Sequence, residues 1–328
     1  MGNQFSHFED YQVGQKGITN ARTVTEADVV TYACISADFN PIHVDRYSTA
    51  DNIYGGRVAH GMLGSSLATG MLSYSAPHIL GGGVSGAYFY GFDANYRGAI
   101  ALGDTIKIQW QVAETNDDPT HQGFGLVKTA FQVVNQDGLS VYDGTFTTKV
   151  RKESAENADL QLKPGVPWPA GEYTETHGRT ITETDIVNFA CLTGDYAPQY
   201  MDAEFARESM FGKRIAQGIL VFSIAIGIHT VGGQYRSDGE QQRSQEGKIG
   251  LSKIAGHLND NASFLAPVKI GDTIRSRYRI LTTRVSKSRP EASIVTQGFQ
   301  VVNQRDEVVQ EGHQINMAAS TAGSPTKV

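Results

Sequence analysis

The stretch "ADFNPIHVD" (Ala37–Asp45) sets two carboxylates, an asparagine, a proline and a histidine within nine positions. What surrounds it decides the fold. The segment just upstream, "RTVTEADVVTYAC" (Arg22–Cys34), returns as "RTITETDIVNFAC" (Arg179–Cys191), an offset of 157 residues (179 − 22). That offset carries without a gap through Asp38/Asp195, Pro41/Pro198 and Gly61/Gly218. Further on, "LGDTI" at Leu102 pairs with "IGDTI" at Ile270, and "FQVVNQ" occurs at both Phe131 and Phe299, an offset of 168 (299 − 131). The 11 extra residues (168 − 157) are expected in the polar segment "RSDGEQQRSQEG" (Arg236–Gly247), as an exposed loop. Two copies imply a tandem duplication with one domain per copy. The expected division is an N-terminal domain over 1–151, a charged, Pro/Gly-rich linker over 152–171, a C-terminal domain over 172–319 and a tail over 320–328.

Composition is that of a globular protein: 328 residues, 40% hydrophobic and 19% charged, a length that suits two domains. A net charge of −6 argues against a nucleic-acid surface, so an anionic ligand must be held by local groups. Cys34 and Cys191 cannot build a disulfide framework and, at equivalent helix positions, read as small core residues. The longest apolar stretch, Ile215–Ile228, is interrupted and too short to span a bilayer, and the N-terminus lacks a signal-peptide core. A soluble cytoplasmic protein is expected. Gly2 and Ser6 fit the short myristoylation pattern, which occurs often by chance.

Each copy has the same coarse plan. Ala27, Val30, Ala33 and Cys34 recur at helical spacing, with Thr25 as N-cap and Asp28 closing a capping box. The Asn40–Pro41 step predicts a loop for the quoted stretch, since helix is disfavoured before proline. A second helix is predicted from about Gly61 to Ala76, ended by Pro77; it is apolar on most sides and therefore buried, with Gly64, Ser65, Ala68 and Gly70 permitting close neighbours. Strand patterns follow in "DTIKIQWQVAET", "GLVKTAFQVVNQDG" and "SVYDGTFTTKV", and Asp137–Gly138 marks a hairpin. The glycine run Gly81–Gly91 lacks the context of a phosphate loop and is expected to be flexible. The fold class is α+β, a buried helix with a run of antiparallel strands in each copy.

"YACISADFNPIHVD" (Tyr32–Asp45) followed by "GGRVAHGMLGSSL" (Gly55–Leu67) resembles the MaoC-like, (R)-specific enoyl-CoA hydratases. The resemblance extends over both halves and implies a double hotdog, in which each half wraps an antiparallel sheet around one long helix and the two act as an internal pseudo-dimer. It implies an acyl-CoA substrate, no cofactor beyond that thioester, and catalysis by Asp38 and His43, which hold a water between them. That water would add across a trans-2-enoyl-CoA to give the (3R)-hydroxyacyl-CoA. His43 would take a proton from water and Asp38 would deliver one to C2.

The chemistry of the residues agrees. Hydration of a conjugated thioester needs a base for water, an acid for the α-carbon and donors for the enolate oxygen. Histidine titrates near neutrality and suits the first role. Gly61, at the predicted helix start, offers a backbone N–H to the thioester oxygen. Asn40, Pro41 and His60 read as supports, and Ser66 and Thr69 as possible pocket lining. Arg46, Arg57, Arg97 and Lys213 are candidates to meet CoA phosphates, against the plainer reading of Arg and Lys as ordinary surface residues. In the second copy Asn40 becomes Ala197, His43 becomes Tyr200 and His60 becomes Gln217, so one active site per chain is expected. The competing reading, Asp38 and His43 as a loop-stabilising pair, is disfavoured by loss of His with retention of Pro in the second copy. A metal site of His43, Asp45 and His60 lacks helical ligand spacing, so no metal is expected. Two rival functions are a hotdog acyl-CoA thioesterase, which usually lacks the Asn-Pro-x-His arrangement, and an acyl-CoA-binding partner subunit, in which both motifs should have decayed. A homodimer of chains is left open.

Overall fold

The computed structural model describes all residues except 1–6, 48, 51–53, 85, 156–157, 159, 161, 235–253 and 320–328. The expected insertion loop, the tail and the Gly2 pattern therefore fall outside the described residues. The N-terminal half runs β1 (Lys16–Ile18), β2 (Arg22–Thr23), α1 (Glu26–Ser36), α2 (Pro41–Val44), α3 (Gly61–Ser75), β3 (Ala87–Tyr96), β4 (Thr105–Asp117), β5 (Phe124–Val134) and β6 (Ser140–Arg151). The C-terminal half repeats this as β7 (Thr174–Glu175), β8 (Arg179–Thr180), α4 (Glu183–Thr193), α5 (Pro198–Met201), α6 (Ala203–Glu208), α7 (Gly218–Gln234), β9 (Ile254–Phe264), β10 (Thr273–Val285), β11 (Ala292–Val302) and β12 (Val308–Ala319). Each half is a hotdog, and the whole is an α+β double hotdog.

One antiparallel sheet joins the halves in the order β1-β4-β5-β6-β3-β9-β12-β11-β10-β7. At its centre, β3 pairs with β9 in a register that sets Asp93 opposite Asn261. Those two residues are themselves 168 apart (261 − 93), so the pseudo-twofold axis passes between them. Asn261 donates to Asp93 at 3.0 Å, and Asn259 donates to Asp93 and Asn95 at 3.0 and 3.1 Å.

The local reasons for these elements are visible in the sequence. Thr25 and Asp28 form the predicted capping box on α1, and Thr182 and Asp185 repeat it on α4. The central helix α3 stops at Ser75, just before Pro77, and Met62 through Leu72 are all buried. Its small residues serve a specific contact. A Cβ on Gly70 would lie 2.0 Å from the Thr193 carbonyl oxygen, and one on Gly227 would lie 1.8 Å from that of Ser36. Each central helix is thus pressed against the end of the first helix of the other half, and the loop after α1 is held over α7.

Three expectations are corrected. Cys34 and Cys191 are exposed, because they sit on the outward faces of α1 and α4. The quoted stretch is not wholly loop: Pro41 starts the one-turn helix α2, with Asn40 as its N-cap accepting from the Ile42 N–H. The glycine run is not loop throughout: Gly81 and Gly83 make a turn with positive φ, but from Ala87 the chain enters the buried central strand β3. Aromatic residues packing on both strand faces outweighed the glycine content there.

Candidate active site

Asp38 follows α1 through Ala37, whose left-handed backbone (φ 68°) turns the chain out of the helix. Its N–H donates to Ser36 Oγ at 3.1 Å, and its Oδ1 accepts the Asn40 N–H at 3.2 Å. Asn40 and Pro41 then launch α2, which carries His43 back towards Asp38.

His43 Nδ1 lies 2.8 Å from the carbonyl oxygen of Val58. A carbonyl only accepts, so Nδ1 carries the proton and Nε2 holds the free lone pair. Burial pushes the imidazole pKa down, against the opposing pull of Asp38 and the Val58 carbonyl, with His257 pushing it further down. A neutral imidazole with its basic nitrogen exposed to the site is the form a general base requires.

His60 is 2% exposed and sits at the N-cap of α3. Its Nε2 donates to the Asp38 carbonyl at 2.9 Å, and its ring stacks on His43 with centroids 3.8 Å apart at 31°. Burial, then the neighbouring His43, drives its pKa well below the ordinary value. An Asp38 oxygen and a ring nitrogen of each histidine all lie within 4.8 Å of one another. Those atoms are near enough for a metal, but stacked rings send their in-plane lone pairs side by side rather than to one point. Asp45 does not join them; it accepts the Tyr47 N–H instead.

Gly61 is the first residue of α3, and its N–H is not met by a side-chain cap. Ser66 and Thr69 are buried and return their hydroxyls to carbonyls of their own helix, Met62 and Ser66. Of the basic residues, Arg57 pairs with Glu26 at 3.0 Å and Arg97 with Asp143 at 2.6 Å.

Sequence reasoning missed the far wall of this site. A Cβ on Gly61 would lie 3.2 Å from Tyr96 Cε1 and 3.4 Å from His257 Cδ2, so Tyr96 from β3 and His257 from β9 flank the helix start. Asp260 is fully buried; it accepts Tyr96 Oη at 2.6 Å and Gln314 Nε2 at 2.9 Å and lies 2.8 Å from His257 Nε2. His257 Nδ1 meets Asn316 Oδ1 at 2.6 Å. Burial alone would lower the His257 pKa and raise that of Asp260. Their mutual attraction reverses both, holding His257 as a cation above its ordinary value and Asp260 as an anion below its own.

The equivalent region of the other half is closed. Asp195, Gln199, Tyr200 and Gln217, with Thr69, Ser73 and Phe89, surround a cavity of about 10 Å³, room for roughly one water. Burial raises the Tyr200 phenol well above its ordinary pKa and the Asp195 carboxyl to about 6. A larger hollow of about 1080 Å³ lies along β1, β4, β5, β6, β3 and the facing part of β9, and Asp38, His43, His60, Gly61, Tyr96, His257 and Asp260 do not line it.

The fold is a double hotdog, and its site sets an Asp/His pair beside the start of a buried helix. The chain belongs to the MaoC-like domain family, whose model matches residues 10–131 and 167–302. It is 32% identical to the 3-hydroxybutyryl-CoA dehydratase of Methylorubrum extorquens over 160 residues, 48% of this chain and 94% of that protein. It is 38% identical to Protein MaoC of Klebsiella aerogenes over 119 residues, 36% of this chain but only 31% of that protein's length. An (R)-specific enoyl-CoA hydratase from Aeromonas caviae is 28% identical over 34% of this chain and 77% of its own. Among solved structures, a MaoC domain protein from Chloroflexus aurantiacus superposes with a TM-score of 0.75 at 17% identity, covering 98% of this chain and 99% of that one. A Mycobacterium tuberculosis protein described as a double hotdog gives 0.70 at 16% identity, covering 95% and 98%. Two of these relatives are named as a dehydratase and a hydratase. Among the described residues, no helix is long and apolar enough to cross a membrane.

Proposed function

We propose that the chain is an (R)-specific enoyl-CoA hydratase, equally a 3-hydroxyacyl-CoA dehydratase, with one active site at Asp38 and His43. The observation that carries the reading is the fixed tautomer of His43: Val58 occupies Nδ1 and leaves Nε2 basic, close to the Asp38 carboxylate. In the hydration direction the oxygen of water bonds to C3 as His43 Nε2 takes one of its protons. The electron pair of the double bond moves onto the thioester oxygen, which faces the Gly61 N–H. His43 hands that proton to the Asp38 carboxylate, which delivers it to C2, so both groups end in the state in which they began. Water is the only co-reactant this chemistry needs. Each acid–base element contributes on the order of 10² to 10⁴ in rate.

The C-terminal half serves as internal partner rather than as a second site, since Ala197, Tyr200 and Gln217 replace the motif. On this reading, residues 1–151 and 172–319 are the two domains and the chain works in the cytoplasm, alone or as a homodimer.

The test is loss of enoyl-thioester absorbance with crotonyl-CoA and a panel of longer 2-enoyl-CoAs, with chiral analysis of the product. Hydration to the 3R product supports the reading. Release of free CoA without hydration would replace it with a thioesterase, and binding without either reaction would replace it with a binding subunit.

A further inference from the structure

The two halves differ in a systematic way along their central strands. Phe89 pairs with Thr148 and Phe92 with Phe146 across β3 and β6. His257 pairs with Asn316 and Asp260 with Gln314 across β9 and β12. Every one of these pairs is related by 168 residues, and both strands carry their bulge at the same step, between Phe89 and Gly91 and between His257 and Asn259. The strands beside the vestigial site carry Phe89, Phe92, Phe146 and Thr148, with Phe89 lining its cavity. The wall facing the live site carries His257, Asp260, Gln314 and Asn316 at those same positions. Tyr96 likewise stands where the other half has Phe264.

Buried charge at positions that a working core fills with phenylalanine costs stability unless it has a task. Its location gives the task. His257 Cδ2 faces Gly61, the residue whose N–H begins the buried helix. The Nε2 atom of His257 is 2.8 Å from Asp260 Oδ2 in an ion pair, yet it makes no hydrogen bond. That N–H therefore has electrostatic support from the carboxylate while still being able to point elsewhere.

We propose that His257, contributed by the C-terminal half, is a catalytic residue of the N-terminal site, and that its Nε2–H joins the Gly61 N–H in holding the thioester oxygen as it becomes an enolate. This rests on the hydratase reading for its reaction, though not for its binding geometry. Asp260 and Asn316 act as positioning residues: they fix the ring and keep it charged, and the Tyr96 hydroxyl and the Gln314 amide satisfy the remaining acceptor sites of Asp260. The groups that face His257 are Asp260 on its own strand, Asn316 on β12, Tyr96 on β3, Asp38 after α1 and His43 on α2. Two carboxylates against one imidazolium favour the cation, which is why its charge persists above the ordinary histidine pKa.

Two variants test this, His257→Phe, which copies the equivalent position of the other half, and His257→Gln, which keeps a neutral donor. Removing one oxyanion donor typically costs about 10² to 10³ in kcat. For His257→Phe that loss is expected with KM changed only a few-fold, and His257→Gln should recover part of it. The alkaline limb of the pH profile should disappear in both. The second readout is absorbance of 4-(dimethylamino)cinnamoyl-CoA bound to Asp38→Asn protein, whose thioester carbonyl reports polarisation by a red shift. Adding His257→Phe should shrink the red shift to what the Gly61 N–H alone produces, while binding persists. A red shift of undiminished size overturns the proposal, even if turnover falls, because His257 would then support the fold or the Asp38–His43 pair only. If the protein hydrates no enoyl-CoA at all, the function reading fails, while a red shift diminished in His257→Phe still upholds His257 as a thioester-oxygen donor.

Discussion

His60 and His43 stack with their ring centroids 3.8 Å apart, and His60 spends its Nε2 proton on the carbonyl of Asp38. One buried side chain thus touches both members of the proposed pair. In the other half the same position is Gln217, whose amide donates instead to Ile186, on the helix preceding the vestigial Asp195. His60→Gln should therefore loosen the geometry of Asp38 and His43 without unfolding the protein. A displacement of about 1 Å near a reacting centre can cost on the order of 10² in rate. Steady-state hydration assays alongside a thermal melt check this; a fully active variant would remove His60 from the machinery.

His43→Ala should lower hydration by about 10² to 10⁴, the usual worth of a general base. Tyr200→Phe should leave the rate unchanged, because its phenol is buried beside the closed cavity. Activity from the second half would appear as loss in Tyr200→Phe.

The rate should also report two histidines of opposite tendency. His43 works neutral, and its depressed pKa places the acid limb below the ordinary histidine value. His257 works charged, so activity is lost as pH rises through its elevated pKa. Because the His257 charge helps push the His43 pKa down, His257→Phe should move the acid limb to higher pH. A pH–rate profile of kcat/KM in wild type and variant measures both limbs.

Asp195 should make stability fall as pH rises. Burial lifts its carboxyl from 3.8 to about 6, against hydrogen bonds from Ser73 and the Ala197 N–H, and its Oδ1 has no partner. Between those values the folded state binds a proton that the unfolded state does not, so the contribution is present below about 3.8 and lost through about 6. The span corresponds to at most about 3 kcal/mol. Asp195→Asn should raise the melting temperature at pH 8 and leave it little changed at pH 4. An equal shift at both values would point to packing instead of ionisation.

Gly227→Ala separates stability from activity in another way. A Cβ 1.8 Å from the Ser36 carbonyl must push α1 away from α7, and overpacking of this kind costs roughly 1–3 kcal/mol. Since Ser36 leads directly into Asp38, turnover should fall as well. Gly70→Ala, whose Cβ meets Thr193 beside the vestigial site, should cost similar stability with a smaller effect on rate. Chemical denaturation and hydration assays on the two variants distinguish them.

Much of this was written in the chain. The repeat offset, the Thr25–Asp28 capping box and the long apolar stretch ended by Pro77 are local patterns, and they set two helix-plus-strand units and one intact Asp38–His43 motif. The one-turn helix at Pro41 and the outward turn of Cys34 were less legible, because one residue of helical phase decides them. The pairing of Asp93 with Asn261 across the pseudo-twofold axis, and with it the delivery of His257 and Asp260 to a motif more than 200 residues earlier, was decided by tertiary structure alone. Sequence periodicity shows that a strand has an inner face; which site that face closes depends on how the two halves dock. In this chain a buried charged pair, costly in either half by itself, acquires its purpose only when the sheet runs on from one half into the other.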